Sequence, residues 1–175
     1  MANTYFAGID PGLHGALAVI SVTPGATRPV LVEVSDLPTV VKRVGRTDRA
    51  RYSILELAGL IGSAATVYGP TMVAIEDVQG RGNQMGGAQL SYGVGLLHMA
   101  AEMHRLPVTL IQPSAWKAAL RCPASKPAAA KLAANLIDGV GNAFRGPLGG
   151  LRDGRAEAAL LAYWAWQRFG RASDA

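Results

Sequence analysis

Cysteine occurs once in the 175 residues, at Cys122, so neither an intrachain disulfide nor a cysteine zinc cluster can form. A reducing compartment fits that scarcity. Charged residues are also sparse, at 17%, while half the chain is hydrophobic, which excludes a disordered polyelectrolyte and indicates a globular core. No uncharged apolar run approaches the length needed to span a bilayer. The opening Met1-Ala2-Asn3-Thr4-Tyr5-Phe6 lacks the basic region and apolar core of a signal peptide. A cytosolic protein without membrane attachment is therefore expected. Internal repeats are lacking as well, and the ten prolines and 21 glycines are scattered over many turns.

The length suits one well-buried domain covering residues 1–175 and is too short for two ordinary ones. Seventeen Lys and Arg against 12 Asp and Glu leave a net charge of +5, which suits a polyanionic partner but is equally compatible with a merely basic protein.

Thr4 to Ile9 is short, apolar and ends abruptly at Asp10-Pro11-Gly12, where Pro and Gly force a turn; it reads as a strand. Gly15 to Val22 reads as a second strand, antiparallel to the first, and Pro29 to Leu37 as a third. Lys42 to Arg51, with five bases against Asp48, reads as a solvated loop. Apolar residues at Ile54, Leu57, Ala58, Ile61 and Ala65 predict a helix over 52–68. Thr71 to Ile75 has the continuous apolar character of a strand covered on both faces, and it stops at Glu76-Asp77. A long helix over 86–103, a fifth strand over 107–111, and short helices opening at Pro113 and Pro127 follow. A glycine-rich loop from Gly139 to Gly150 precedes the last helix, Asp153 to Phe169. This order predicts an α/β fold: a five-stranded mixed sheet, three antiparallel strands then two parallel, with helices on both faces.

Two strands end in carboxylates, Asp10 and Glu76, where sites of open α/β sheets lie. Burying such an acid is costly unless a cation, donors or water meet it. Asp-Pro-Gly is also a common turn sequence, and Asp77 reads as the solvated neighbour of Glu76. On the last helix Asp153 and Glu157 are four residues apart and within roughly 40° of each other around the axis, above an apolar face of Leu160, Leu161 and Trp164. Asp153 admits a second reading as the helix N-cap. Glu157 lies inside the helix, where capping does not account for it. Carboxylates converging without His or Cys suit hard, oxygen-preferring ions, so Mg²⁺ is expected, with Mn²⁺ able to substitute. Two such ions about 4 Å apart can activate a water and stabilise the leaving oxygen in phosphodiester hydrolysis.

Four stretches then combine: Phe6-Ala7-Gly8-Ile9-Asp10-Pro11-Gly12, Val73-Ala74-Ile75-Glu76-Asp77-Val78, Pro113-Ser114-Ala115-Trp116-Lys117 and Asp153-Gly154-Arg155-Ala156-Glu157-Ala158. Each alone is weak, but in their order and spacing they resemble the RuvC-type Holliday-junction resolvases over nearly the whole chain. The resemblance implies a ribonuclease H-like fold, a homodimer, and symmetric nicks across four-way branched DNA in a bacterial or phage-infected cell. By motif position Asp10 would bridge metals, Glu76 would be a ligand and Glu157 would take the place of the last acid. The four-residue spacing of Asp153 and Glu157, where the bacterial family usually has three, leaves the fourth ligand open, and the Gly154-Arg155-Ala156-Glu157 form looks more like phage and prophage relatives. Gln79 stands where many relatives carry an aromatic wedge.

Lys117 matches a family lysine near the site and Lys126 a second, either able to hold a scissile phosphate. Gln79, Arg81 and Asn83, in the polar loop after Glu76, are candidate junction contacts, with Arg121, Lys131 and Arg155 as weaker phosphate-binding candidates. Ala88, Tyr92, Gly95, Leu96 and Met99 form a stripe that suits either core or a dimer face. Two other readings exist. A non-catalytic junction binder would share the basic charge, but gains nothing from acids gathered near phosphates. An actin-like or sugar-kinase phosphate hairpin would use Gly8 to Gly15, but such proteins close a second domain over the nucleotide, and this chain has one domain.

Overall fold

The computed structural model describes residues 2–78 and 85–170. Strands β1 (Thr4–Ile9), β2 (Ala16–Val22) and β3 (Val30–Asp36) are followed by β4 (Thr39–Val44), β5 (Thr47–Tyr52), helix α1 (Ile54–Val67) and β6 (Met72–Glu76). Then come α2 (Met85–Met103), β7 (Val108–Ile111), α3 (Pro113–Ala119), α4 (Lys126–Leu136) and α5 (Asp153–Phe169). The main sheet has the order β3-β2-β1-β6-β7. Its β1-β2 and β2-β3 pairs are antiparallel, while β1-β6 and β6-β7 are parallel. That is the expected mixed sheet. Among the described residues no helix is long and apolar enough to cross a membrane.

One expectation is overturned. Residues 42–51 are not a loop but most of a two-stranded hairpin, β4-β5, closed by a turn with Gly45 at φ 62°. Its charge suggested solvent, and most of it is indeed exposed. Exposure does not prevent strand pairing, however: Thr39, Val40, Val41, Val44 and Thr47 supply β-branched residues, and Gly45 accepts the left-handed turn. Correspondingly, α1 begins at Ile54 rather than Tyr52.

The period-two alternation of the strands builds two cores. Phe6, Ala16, Ala18, Ile20 and Ala74 face α5, α4 and α3, whereas Ala7, Ile9, Leu17, Val19, Val73 and Ile75 face α1 and α2. The α5 side is lined at its centre by Gly8, Ala18 and Ala74, and α5 offers Ala158, Ala159, Ala162 and Ala165, all buried. Small residues on both surfaces let helix and sheet approach at backbone distance. A Cβ at Gly8 would lie 2.1 Å from the Ala158 carbonyl oxygen and 2.3 Å from the Ala162 nitrogen. Gly8→Ala is therefore expected to displace α5 and cost about 3 kcal/mol or more, as overpacking against backbone does not relax. Urea unfolding beside the wild type measures it, and a loss below about 1 kcal/mol would mean that the helix is not seated as described.

Candidate active site

The same alternation that lines the α5 face carries past the strand ends. Asp10 continues the series Phe6, Gly8, and Glu76 continues Met72, Ala74, so both acids project toward α5. Pairing of Ile9 with Ile75 sets them side by side at the carboxyl ends of adjacent parallel strands. Glu157, in the second turn of α5, comes down from above. Carboxylate oxygens of Asp10, Glu76 and Glu157 all lie within 4.8 Å of one another.

Each acid is fixed by its surroundings. The turn after β1 is closed by the Asp10 amide donating to the Ala16 carbonyl (3.0 Å) and the Gly15 amide donating to Gly12 (2.8 Å). The Gly12 amide donates to Asp10 Oδ1 at 3.2 Å. These amides are taken up within the turn, which removes the basis for a phosphate-binding hairpin. Tyr52, buried at the end of β5, donates its hydroxyl to the Pro11 carbonyl and so ties the hairpin to the turn. Its own pKa is pushed up to about 12 by burial and by the Asp10 charge.

Helix α3 clamps the other two acids. The fully buried Trp116 donates its indole Nε1 hydrogen to Glu76 Oε1 at 2.9 Å. Lys117 Nζ stands 3.1 Å from Glu157 Oε1 and 5.0 Å from the centre of the Trp116 ring. Burial opposes the Lys117 charge, but Glu157 outweighs it and holds the lysine pKa above its ordinary value. Trp116 was not a candidate from sequence, although a tryptophan inside a motif next to a candidate lysine is the signal that could have found it, since a buried indole N–H needs an acceptor.

Asp153 stands outside the group of three. It occupies the first position of α5, the N-cap being Arg152 with no side-chain capping bond, so it is not the expected cap. Lys126 at the start of α4 forms an ion pair with it, and that contact holds the Asp153 pKa below the usual carboxylate range. Arg155 is engaged within the protein. Its Nε and Nη2 donate to Asp36 Oδ1 and Oδ2 at 2.6 and 2.9 Å, and Nη1 donates to the carbonyls of Ala143 (3.0 Å) and Arg145 (3.2 Å). It fastens α5 to β3 and to the glycine-rich loop. Arg121 and Lys131 are exposed, and Gln79, Arg81 and Asn83 lie outside the described residues.

Electrostatically the group is under tension. Asp10 is pushed up to about 7 by burial and by the charges of Glu157, Glu76 and Asp153, against the Gly12 amide. Glu76 is raised by burial, against the pull of the Trp116 indole and Lys117. Three crowded oxygen donors with no nitrogen or sulfur ligand among them fit a hard divalent cation, which would offset the burial and repulsion that raise the Asp10 pKa.

A mixed sheet of this order is that of the ribonuclease H-like fold, and the acids at the ends of β1 and β6 and on the last helix form a group that could hold a metal ion. No protein-family model matches the chain. Over 115 residues, 65% of the chain, it is 36% identical to the crossover junction endodeoxyribonuclease RuvC of Corynebacterium diphtheriae, covering 66% of that protein. The RuvC of Corynebacterium efficiens is 35% identical over the same length, and the match spans 48% of it. The solved structure of Thermus thermophilus RuvC in complex with a Holliday junction substrate aligns with a TM-score of 0.61 at 22% identity, covering 95% of this chain and 96% of that one. The yeast mitochondrial Holliday junction resolvase aligns at 0.55 and 18%, covering 93% and 78%. At those identities the structures carry the fold, and the chain spans less than two thirds of the length of the corynebacterial relatives it matches. The chain is similar to the RuvC-type resolvases.

Two predictions follow from the electrostatics. Between about pH 4 and about 7 the unfolded chain ionises while folded Asp10 keeps its proton, so metal-free stability falls as pH rises through that window and stays lowered above it. Asp10→Asn should then be more stable than the wild type near pH 8 in chelator, by on the order of 2 kcal/mol, and no more stable near pH 4. Urea unfolding at both values tests this, and equal stabilities near pH 8 would contradict it. Trp116→Phe keeps the ring but leaves the Glu76 oxygen without its donor, at a cost of about 1–3 kcal/mol. Divalent-ion affinity, read by calorimetry, should fall with it; unchanged affinity would mean that the indole does not position Glu76.

Proposed function

We propose that the chain is a structure-selective DNA endonuclease that resolves four-way junctions by hydrolysing phosphodiester bonds, using Mg²⁺, with Mn²⁺ able to substitute. The observation that carries the reading is the convergence of Asp10, Glu76 and Glu157 to within 4.8 Å, in a chain whose named relatives are crossover junction endodeoxyribonucleases. When bound, a pair of divalent ions generates a nucleophile from water near neutral pH and neutralises charge on the departing oxygen. Asp10, Glu76 and Glu157 would hold the ions. Trp116 keeps Glu76 aimed, and Lys117, already charged beside Glu157, stabilises negative charge on the phosphate under attack.

Asp153 is assigned to holding Lys126 at the rim, where that ammonium meets a neighbouring phosphate. Arg121 and Lys131 are further backbone contacts, and Gln79, Arg81 and Asn83 enter the junction by their place in the chain directly after the β6 acids. Dimerisation is assigned to the outer face of α2. There Met99 (51%) and Met103 (71%) are exposed beside exposed Gly95, whereas Leu96 of the same stripe packs against the core and Ala88 and Tyr92 line the cavity beside the β4-β5 hairpin. Symmetric nicking needs two sites related by a two-fold axis, and an apolar face of small and large residues suits that contact.

A synthetic four-way junction incubated with the protein and Mg²⁺ should be nicked in paired, symmetric strands. Asp10→Asn, Glu76→Gln and Glu157→Gln should each lower the rate by at least about 10³-fold with junction binding intact, as loss of a metal ligand demands. Asp153→Asn should cost no more than about tenfold. Binding without nicking by the wild type in Mg²⁺ or Mn²⁺ would sink the reading in favour of a non-catalytic junction binder.

A further inference from the structure

Outside the acidic site, positive charge is concentrated in the β4-β5 hairpin. Lys42, Arg43, Arg46, Arg49 and Arg51 face a single acid, Asp48, so four of the chain's five net positive charges reside here. Register sorts them. Lys42 pairs with Arg49 and Val40 with Arg51, placing Lys42, Arg49 and Arg51 on one face; Arg43 and Asp48, paired and 4.0 Å apart, lie on the other. Two cations directly opposite each other cost a hairpin stability, so folding alone does not favour this arrangement.

The cationic face closes over a cavity of about 580 Å³ lined by Lys42, Arg49, Arg51, Tyr52, Gln89 and Tyr92. In its wall Gln89 accepts a hydrogen bond from Arg51 through Oε1, leaving its buried Nε2 donor without a partner among the described residues. Cations and an unmatched amide donor converge there on space that an anion fits. Tyr52 lines the same cavity and donates its hydroxyl to the Pro11 carbonyl, next to Asp10, so one side chain links the cavity to the turn that carries Asp10.

We propose that the β4-β5 hairpin is a DNA-gripping arm, its Lys42, Arg49 and Arg51 face holding backbone phosphates of a duplex arm as it leaves the active site, with Arg46 at the turn extending the grip. This rests on the nuclease reading for its ligand, DNA. Phosphate contacts of this kind set register and affinity and read neither base nor branch.

The test is binding without cleavage, in chelator, of a fluorescent four-way junction and of a linear duplex, by the wild type and by Lys42→Gln/Arg49→Gln. Both side chains are exposed, and equal melting temperatures verify the fold. The double variant should bind both DNAs about tenfold more weakly near 0.1 M salt, with a plot of log K against log salt shallower by about two per protomer. Wild-type affinity and slope in the variant would overturn the proposal, as would a loss confined to the junction. If the wild type binds DNA but nicks no junction while the variant still shows the shallower slope, the arm stands and the nuclease reading falls. No DNA binding by the wild type overturns both.

Discussion

Three carboxylates held within 4.8 Å of one another in a partly buried pocket repel, and the local structure around them is organised against that repulsion. Burial raises the cost, because the charges lose water; the Gly12 amide, the Trp116 indole and the Lys117 ammonium lower it, each on a different acid. The compensation is incomplete, since Asp10 still titrates near 7. A cation bound among these acids would relieve that repulsion, so under the proposed function the residual strain favours metal binding. Two consecutive residues of α3 reach two different acids on two different elements, which explains why so short a helix stands beside the site.

Gathering those acids requires the last helix to lie on the sheet at backbone distance, and that is a matter of what is missing from the side chains. Gly8 clears the way for the Ala158 carbonyl, and Gly154 does the same beside the turn, where a Cβ would lie 2.5 Å from the His14 carbonyl and 3.0 Å from Asp10 Oδ2. Arg155 then fixes the start of α5 to Asp36 at the end of β3 and to the loop before the helix. The residues flanking Glu157 thus serve to place it, and a guanidinium engaged with one carboxylate and two carbonyls is more valuable as a fastener than as a phosphate contact.

Apolar strand runs and helix periodicity make the mixed sheet, the strand-end places of Asp10 and Glu76 and the helix position of Glu157 legible in the sequence, because these follow from periods of 2 and 3.6 written into apolar residues. The hairpin is hidden for the opposite reason: its two strands bury little of their surface, so no apolar alternation reports them, and their charge reads as a solvated loop. Pairings between distant residues were invisible. Nothing in sequence connects Trp116 to Glu76 or Arg155 to Asp36, since each contact exists only once α3 and α5 have docked. Asp153 could be narrowed but not assigned, as four residues of spacing put it near the helix start without saying that Lys126 would meet it.

Charge is separated rather than balanced in this molecule. An acidic pocket beside phosphates would by itself drive DNA away, so a nuclease with this site needs cations placed far enough off not to neutralise its ligands and near enough to hold the strand. Lys117 is inside the site and engaged with Glu157; Lys126 is at the rim and engaged with Asp153. Both are matched one to one with acids, which leaves them little excess charge with which to attract a polyanion. The excess lies in the hairpin, where bases outnumber acids five to one and where Tyr52 forms the mechanical link to the Asp10 turn. Under the nuclease reading, attraction and chemistry are assigned to separate elements linked through the Tyr52 contact with the Pro11 carbonyl.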